Sequence, residues 1–246
     1  MQLAFVIPAY NEENLIGKCL ESVIKEVDRS GLDVEIIVVD NVSTDRTVEI
    51  AKSYAGVRVI SESEKGPTFA RHTGFEASRA EFVAVIDADT MLPEGWLDVV
   101  ENIFTKKPEL VAVSGPYIYY DLPFWQRMLV GGFYCLSFIV YLLVRFVFKA
   151  GSMVQGGNLV MRRSAWIKAG GYDTSIEFYG DDTDMAVRLS KVGPVKWTFK
   201  LRMLTSGRRL DGEGVFKTAG TYTLNYFWIL LRGRPATKEY KDVRPE

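Results

Sequence analysis

Short apolar runs alternate with longer amphipathic stretches through the first half of the chain. The short runs are rich in Val and Ile and predict β-strands at residues 3–7, 34–40, 57–61 and 82–86. Residues 13–27 and 67–78 instead repeat apolar positions at helical spacing. Because strands that alternate with helices favour a parallel arrangement, we expect an α/β fold with a mostly parallel central sheet flanked by helices.

The second half of the chain is less regular. The pattern predicts helices at residues 93–104, 183–192 and 214–231, and a strand at 110–115. A long apolar segment runs from residue 124 to residue 148. We therefore expect an apolar helical insertion in the α/β fold and a helix near the C-terminus.

Polar motifs follow three of the predicted strands: "PAYNEE", "DNVSTD" and "DADT". Ligands of open parallel sheets bind beyond the carboxyl ends of the strands. In the last motif Asp87 and Asp89 stand one residue apart, and two such carboxylates repel each other unless a cation lies between them. A Mg²⁺ ion typically takes one or two protein carboxylates and completes its shell with phosphate oxygens and water. The alternative is an ordinary turn before Pro93.

Two further strand-end features fit a nucleotide. Asp40 ends the strand at 34–40, which we expect near the centre of the sheet, and its carboxylate could accept hydrogen bonds from a base or ribose. Lys65 and Arg71 flank a Gly–Pro turn that opens a helix, and backbone N–H groups together with an arginine fork suit a diphosphate. The alternatives are a helix-initiating turn for Asp40 and solvated charges for Lys65 and Arg71.

Composition excludes several classes of function. The chain has 246 residues, with 30 basic and 31 acidic side chains, so no overall positive charge indicates a nucleic-acid partner. A single histidine, His72, excludes a His-rich zinc site and argues against a Ser–His–Asp triad. Cys19 and Cys135 lack metal-type spacing and are predicted to be reduced, buried thiols. Residues 1–10 lack the basic start of a signal peptide.

The motifs taken together resemble those of a known family. "FVIPAYNEE", "IIVVDNVSTDRT", "KGPTFARHTGFEAS", "FVAVIDADTMLPEGW", "GGNLVMRRSAW", "GGYD" and "YGDDTDMAVRLSKVG" resemble the successive motifs of glycosyltransferase family 2, in order, over residues 3–195. The resemblance implies a GT-A fold, a nucleotide-diphosphate sugar donor, a Mg²⁺ or Mn²⁺ cofactor and inversion at the anomeric carbon.

The resemblance also implies roles for particular residues on the donor side. The nucleoside would be held by Pro8, Tyr10, Glu12 and Asp40. Lys65 and Arg71 would contact the diphosphate. Asp87 would contact the ribose and the metal, and Asp89 would be the main metal ligand.

On the acceptor side, the resemblance implies that Asp182 removes the proton of the acceptor hydroxyl. Asp181 replaces the glutamate that the family usually has beside the base, and Asn158, Arg208 and Arg209 would contact the acceptor or the diphosphate. Two alternatives stay open: the aspartates at 181, 182 and 184 cap the helix at 183–192, and the arginines are a solvated pair. His72 stands where the family often has Asn and is assigned no role.

The apolar segment raises a topological question. Residues 128–144 carry no charge and lie between Arg127 and Arg145, at the lower length limit for a membrane span. A single span would separate the donor motifs from Asp182, so we favour a helix resting on the cytoplasmic face of the membrane over a span or a buried or oligomer-facing helix. Trp125, Tyr134 and Tyr141 would be its interfacial anchors, and the acceptor would be lipid-linked or a saccharide.

These predictions give one catalytic domain in three parts: a donor-binding half at 1–120, the apolar segment at 121–150, and an acceptor half with the C-terminal helix at 151–246. A nucleotidyltransferase is the nearest alternative, but it should have a glycine-rich loop after the first strand, where this chain has "PAYNEE". A non-catalytic sugar-nucleotide-binding protein or membrane scaffold is the other alternative, and the acid at position 182 favours an enzyme.

Overall fold

A computed structural model describes residues 1–148, 151–237 and 242 of the chain. Its strands are β1 (Leu3–Ala9), β2 (Val34–Asp40), β3 (Val57–Ser61), β4 (Phe82–Ile86), β5 (Thr90–Met91), β6 (Ala112–Ser114), β7 (Tyr117–Tyr119), β8 (Asn158–Arg162), β9 (Val195–Trp197) and β10 (Met203–Thr205). Its helices are α1 (Ile16–Ser30), α2 (Thr47–Lys52), α3 (Pro67–Ala77), α4 (Trp96–Lys106), α5 (Phe124–Leu142), α6 (Arg163–Lys168), α7 (Asp181–Val192), α8 (Arg208–Glu213) and α9 (Val215–Arg232). A π-helical turn, Leu143–Val147, continues α5.

The central sheet has seven strands in the order β3-β2-β1-β4-β8-β6-β9. All neighbours are parallel except β8, which runs antiparallel to both β4 and β6. The predicted α/β fold with a mostly parallel sheet is confirmed. β4 lies at the centre and β2 second from the edge, so the expected central place of the strand ending in Asp40 is wrong, because β8, β6 and β9 extend the sheet beyond β4.

Helices cover both faces of this sheet. Successive strand residues point to opposite faces, so Phe5 belongs to the core layer that includes α1 and α4, whereas Val6 belongs to the layer that includes α3, α6 and α7. Gly74 allows α3 to pack close to the sheet, because a Cβ at this position would lie only 2.3 Å from Cγ1 of Val6. This close approach holds Arg71, one helical turn earlier, beside the carboxyl ends of the strands.

A second, three-stranded sheet in the order β5-β10-β7 lies at the carboxyl ends of the strands of the central sheet. β5 follows the "DADT" turn directly, and Thr90 of β5 pairs with Thr205 of β10. Because β10 leads into α8, this small sheet brings Arg208 next to the two aspartates of that turn.

The apolar segment forms α5 and its π-helical turn. Phe124–Val147 is long and apolar enough to cross a membrane by length and composition: an 18-residue stretch of it has a mean hydropathy of 1.9, and 22 % of that stretch is buried. Tyr134 and Tyr141, predicted as membrane anchors, are instead buried in a core with Trp197, and their hydroxyls accept hydrogen bonds from the N–H groups of Tyr117 and Trp197. That prediction is wrong for both tyrosines, whereas Trp125 is 58 % exposed.

Both cysteines are free thiols. Cys19 is buried as predicted, but Cys135 is exposed because it lies on the face of α5 that the core does not cover.

Candidate active site

One cleft runs along the carboxyl ends of β1 and β4. It is lined by most of the residues that the sequence singles out: Pro8, Tyr10, Glu12, Lys65, Arg71, Asp87, Asp89, Asp181, Asp182, Arg208 and Arg209. These side chains come from loops spread over two hundred residues of the chain, and the topology of the sheet brings them to one edge.

Asp40 and Asn158 do not line the cleft. The Asp40 carboxylate is buried and accepts a hydrogen bond from the N–H of Ser43, so it shapes the turn after β2. The amide of Asn158 is fully buried and donates to the carbonyl groups of Gly115 and Leu201, at 3.1 and 2.8 Å. The predicted contact of Asn158 with acceptor or diphosphate is therefore wrong, and the contact of Asp40 with the nucleoside has no geometric support.

The loops after β1 and β2 hold each other in place. The N–H of Glu12 donates to the Thr47 hydroxyl at 2.7 Å, and the N–H of Asn11 donates to the Ser43 hydroxyl at 3.1 Å. These contacts keep residues 11–15 out of the helix, so α1 begins at Ile16 rather than at residue 13. The side chain of Glu12 is thereby directed into the cleft.

Arg71 forms a buried centre at the floor of the cleft. Its guanidinium donates to one oxygen of Asp87 at 3.1 Å and makes a shorter contact with Asp181. The side chains of Arg71 and Asp181 are 10 % and 9 % exposed. One arginine thus joins the motif after β4 to the start of α7 and offsets the repulsion between their two carboxylates.

Two features of this centre were missed in the sequence. The Tyr117 hydroxyl donates to the second oxygen of Asp87 at 3.1 Å, and burial together with the Asp87 carboxylate raises the pKa of Tyr117 well above its usual value. Gly157 lies so close that a Cβ there would be 2.0 Å from Oδ2 of Asp87. The Gly–Gly pair before β8 could have indicated a close backbone approach, whereas nothing in the sequence places Tyr117 here.

Arg208 forms a second, more open centre. Its guanidinium donates to both carboxylate oxygens of Glu12, at 2.9 Å through Nη1 and at a shorter distance through Nη2. Nη2 also lies 3.0 Å from Oδ2 of Asp89. The same arginine therefore bridges the loop after β1 and the loop after β4.

Asp121 fixes the start of α8. Its carboxylate accepts hydrogen bonds from the Ser206 hydroxyl and from the N–H of Gly207, both at 2.6 Å. A Cβ on Gly207 would lie 2.2 Å from Cγ of Leu122, so the backbone before Arg208 is closely packed. Asp121 was not singled out in the sequence, and its role depends on a contact across 86 positions of the chain.

Tyr10 and Lys65 form one wall of the cleft. The Lys65 ammonium donates to the Tyr10 hydroxyl at 2.9 Å and lies 4.3 Å from the centre of its ring. Asn41, also missed in the sequence, positions the loop that carries Lys65: its amide donates to Glu64 and accepts from the N–H of Gly66, each at 2.7 Å.

Asp182 lies in the first turn of α7, on the opposite side of the cleft. It is half-buried, and one of its oxygens accepts a hydrogen bond from the N–H of Thr183 at 2.7 Å. Burial and the neighbouring Asp181 carboxylate raise the pKa of Asp182 to about 7. This value lies near the operating pH of a typical general base.

Aromatic rings close the cleft next to Asp182. Phe178 and Tyr222 line it, and Arg209 lies 4.4 Å from the centre of the Phe178 ring while pairing with Glu213 at 2.7 Å. Tyr222 comes from α9, so the C-terminal helix takes part in the cleft, which the sequence did not show.

The donor set fits a divalent ion that shares its coordination with a ligand. Asp87 and Asp89 both line the cleft, and the described residues contain no group of three or more His, Cys, Asp or Glu side chains placed to hold a metal. Two carboxylates match Mg²⁺ or Mn²⁺ bound together with diphosphate oxygens and water. They do not match a closed structural site made by protein groups alone.

Comparison with known families identifies the chain. The model of glycosyl transferase family 2 matches residues 4–169, more than half of the chain. The chain belongs to glycosyl transferase family 2. The resemblance noted in the motifs is therefore confirmed, and the family match covers β1 to β8 and α1 to α6.

Curated relatives share segments of this family domain. The glycosyltransferase GlyA of Streptococcus pneumoniae serotype 4 is 30 % identical over 124 residues, which cover 49 % of this chain and 17 % of GlyA. The chondroitin synthase of Escherichia coli is 26 % identical over 258 residues, which cover 97 % of this chain and 34 % of the synthase. The chain thus spans about a third or less of the length of these relatives.

Solved structures confirm the GT-A fold. TarS 1–349 of S. aureus has a TM-score of 0.66 at 15 % identity, covering 95 % of this chain and 73 % of TarS 1–349. The mannosyltransferase PcManGT from Pyrobaculum calidifontis, solved in complex with GDP-Man and Mn²⁺, has a TM-score of 0.63 at 20 % identity, covering 87 % and 62 % of the two chains.

Proposed function

We propose that this protein is an inverting glycosyltransferase that moves a sugar from a nucleotide-diphosphate sugar to an acceptor hydroxyl. One observation carries the proposal: Asp182 faces the same cleft as the Asp87–Asp89 pair, although Asp182 follows Asp89 by 93 positions in the chain. A base opposite a metal-binding pair is the arrangement that an in-line displacement at the anomeric carbon requires.

The donor side of the cleft supports binding of the nucleotide. The Tyr10 ring and Pro8 offer apolar surface to a base, and the Lys65 ammonium lies beside them. Arg71 and the open start of α3 face the place where a diphosphate would follow. That PcManGT was solved with GDP-Man and Mn²⁺ supports a donor of this class.

Asp89 would be the main ligand of Mg²⁺ or Mn²⁺, with Asp87 as the second. When bound, the ion stabilises the negative charge of the departing diphosphate, so that no protein acid is needed. Arg71 and Tyr117 hold the Asp87 carboxylate in one orientation, with each of its oxygens accepting one hydrogen bond.

In the transfer step, the acceptor oxygen forms a bond with the anomeric carbon while the bond from that carbon to the diphosphate breaks. The electron pair leaves with the nucleoside diphosphate, and the acceptor proton goes to the Asp182 carboxylate. Asp181 is engaged by Arg71 and so orients the first turn of α7, which leaves the neighbouring Asp182 as the base.

The experiment is a donor panel. The protein is incubated with UDP-, GDP- and TDP-sugars, Mn²⁺ and candidate acceptors, and free nucleoside diphosphate is measured. We expect turnover with one class of donor and loss of turnover with EDTA. Nucleotide binding without turnover for any pair would instead identify a sugar-nucleotide-binding protein, and release of pyrophosphate from a nucleoside triphosphate would identify a nucleotidyltransferase.

We further propose that the protein lies at the inner face of the membrane and uses a lipid-linked acceptor. The exposed faces of α5 and α9, which contact each other, carry large apolar side chains: Phe124, Trp125, Met128, Leu136, Ile139, Phe216, Leu224, Phe227 and Leu231. Both helices have basic residues and no acidic ones, which suits an anionic bilayer surface. Tyr222 links this surface to the cleft, because it lines the cleft from α9.

The fold supports a helix in the membrane plane over a span. β6 precedes α5 in the chain and β8 follows it, and the two strands pair in one sheet. Phe138 and Tyr134 also pack on Trp197 with ring centres 5.7 and 6.1 Å apart, so the middle of α5 lies against protein.

Vesicle flotation tests the membrane proposal. We expect the protein to float with phosphatidylglycerol-containing vesicles, and Leu136→Asp with Ile139→Asp to abolish flotation. Ile167→Asp, at a 53 % exposed position on α6, is the matched control and should float normally. Failure of the wild type to float would overturn the proposal, as would a stable dimer in solution that the same double substitution dissociates.

A further inference from the structure

Arg208 occupies the place between two carboxylates that the proposed function assigns to the donor side. Its guanidinium is bidentate to Glu12 and lies 3.0 Å from Asp89. The Glu12 side chain is only 4 % exposed and that of Asp89 14 %. Two carboxylates so placed need a positive charge between them, and in this structure Arg208 supplies it.

The position of Arg208 is built into the fold. Asp121 holds the start of α8 through Ser206 and Gly207, and the N–H of Ser206 donates to the Asp89 carbonyl at 3.3 Å. Thr205 adds a contact from its hydroxyl to Oδ1 of Asp89 at 3.5 Å. The guanidinium is therefore carried by backbone that is attached directly to the Asp89 loop.

We propose that Arg208 is a resident counter-cation, which holds Glu12 and Asp89 while the donor is absent and moves to the diphosphate when donor and divalent ion bind. This inference rests on the proposed metal site at Asp89. A free divalent ion has to enter next to a fixed positive charge, which opposes its binding. An ion that arrives with a diphosphate brings an anion to which Arg208 can transfer its hydrogen bonds.

The consequence is a coupling between the two ligands. Mn²⁺ alone should bind weakly, and a nucleoside diphosphate should strengthen Mn²⁺ binding by the same factor by which Mn²⁺ strengthens nucleotide binding. The arginine thereby ensures that the site fills with ion and donor together. Glu12 is then a docking partner of Arg208, in addition to any contact with the nucleoside.

The experiment measures Mn²⁺ binding by electron paramagnetic resonance and by calorimetry, without nucleotide and with UDP or GDP. For Arg208→Gln we expect Mn²⁺ alone to bind about tenfold more tightly than to wild type, because one positive charge within a few ångströms of the ion is removed. The coupling between Mn²⁺ and the nucleotide should fall by a similar factor. Arg208→Lys keeps the positive charge but lacks the planar guanidinium. Its affinity for Mn²⁺ alone should lie between those of wild type and Arg208→Gln.

Arg58→Gln is the control. It removes the same charge from β3, outside the cleft, where the guanidinium pairs with Glu35 and is 48 % exposed, and it should leave the affinity for Mn²⁺ alone within about twofold of wild type. Circular dichroism establishes that each variant is folded.

Two outcomes would overturn the inference in distinguishable ways. If Arg208→Gln and Arg208→Lys bind Mn²⁺ alone no better than wild type, while wild type binds Mn²⁺ with UDP or GDP, the role of Arg208 is wrong and the metal site stands. If wild type binds no Mn²⁺ with any nucleotide, the metal site of the proposed function fails, and the inference fails with it.

Discussion

Two arginines bridge carboxylates in this cleft, and their surroundings differ. Arg71 lies on α3, an eleven-residue helix pressed against the sheet at Gly74, and joins Asp87 to the buried Asp181. Arg208 begins the six-residue helix α8 beside a loop, and its side chain is 22 % exposed. The comparison indicates that Arg71 is part of the framework of the site, whereas Arg208 can exchange its partners.

The largest expected effect concerns the base beside the Arg71 centre. Asp182→Asn should lower kcat by about a thousandfold, because an amide cannot accept the acceptor proton. Nucleotide binding with Mn²⁺, measured by thermal shift, should be retained, since Asp182 lies across the cleft from the donor side.

Asp184→Asn is the control for that substitution. It lies on the same helix and pairs with Arg188, so it should retain kcat. Equal activity of Asp182→Asn and wild type would remove Asp182 from the mechanism and leave Asp181 as the nearest acid.

The stability of the two centres gives the sharpest contrast. Arg71→Gln should lower the free energy of unfolding by about 3 kcal/mol, because it leaves two carboxylates without their buried counter-charge. Arg208→Gln should lose only about 1 kcal/mol, since the Arg208 side chain is 22 % exposed against 10 % for Arg71, so that water screens its charge. Mn²⁺ at Asp89 should restore more of that loss than of the loss in Arg71→Gln, because Asp181, a partner of Arg71, is not a proposed metal ligand. Urea unfolding with and without Mn²⁺ measures both, and equal losses would contradict the comparison.

A pH profile tests the charge of Asp182. Its pKa is raised to about 7, so the carboxylate form needed for catalysis is lost below that pH. We expect kcat/KM to fall about tenfold per pH unit below pH 7. In the protein without donor, the raised pKa also means that the folded state holds a proton that the unfolded state has lost. Stability should therefore decrease as the pH rises towards 7, and Asp182→Asn should remove that decrease. A flat rate profile from pH 5 to 8 would contradict the assignment.

The smallest effect concerns Tyr117. Tyr117→Phe removes one hydrogen bond to Asp87, which Arg71 still holds, so the free energy of unfolding should fall by about 1 kcal/mol. The affinity for Mn²⁺ with nucleotide should weaken only a few-fold, because the lost hydrogen bond is to Asp87, whereas Asp89 is the proposed main metal ligand. A complete loss of metal binding in this variant would show that Tyr117, rather than Arg71, orients Asp87.

Much of the framework could be predicted from the chain alone. The strands at 34–40, 57–61 and 82–86 agree with β2, β3 and β4 to the residue, because short runs rich in Val and Ile between turns leave little choice of structure. The start of α1 was misplaced, since hydrogen bonds from the loop after β2 hold residues 11–15 outside the helix. Local pattern carries no information about such contacts between distant segments.

The order of polar motifs along the sequence was enough to indicate the family and the charged residues of the cleft, because parallel strands deliver their carboxyl ends to one edge. Only the tertiary structure decided the partner of each charge. It assigned Asn158 to the core, buried Tyr134 and Tyr141, added Tyr117 and Asp121, and placed Arg208 between Glu12 and Asp89. The physical reason is that burial and ion pairing depend on which segments meet in space, and these segments lie up to 196 positions apart in the chain.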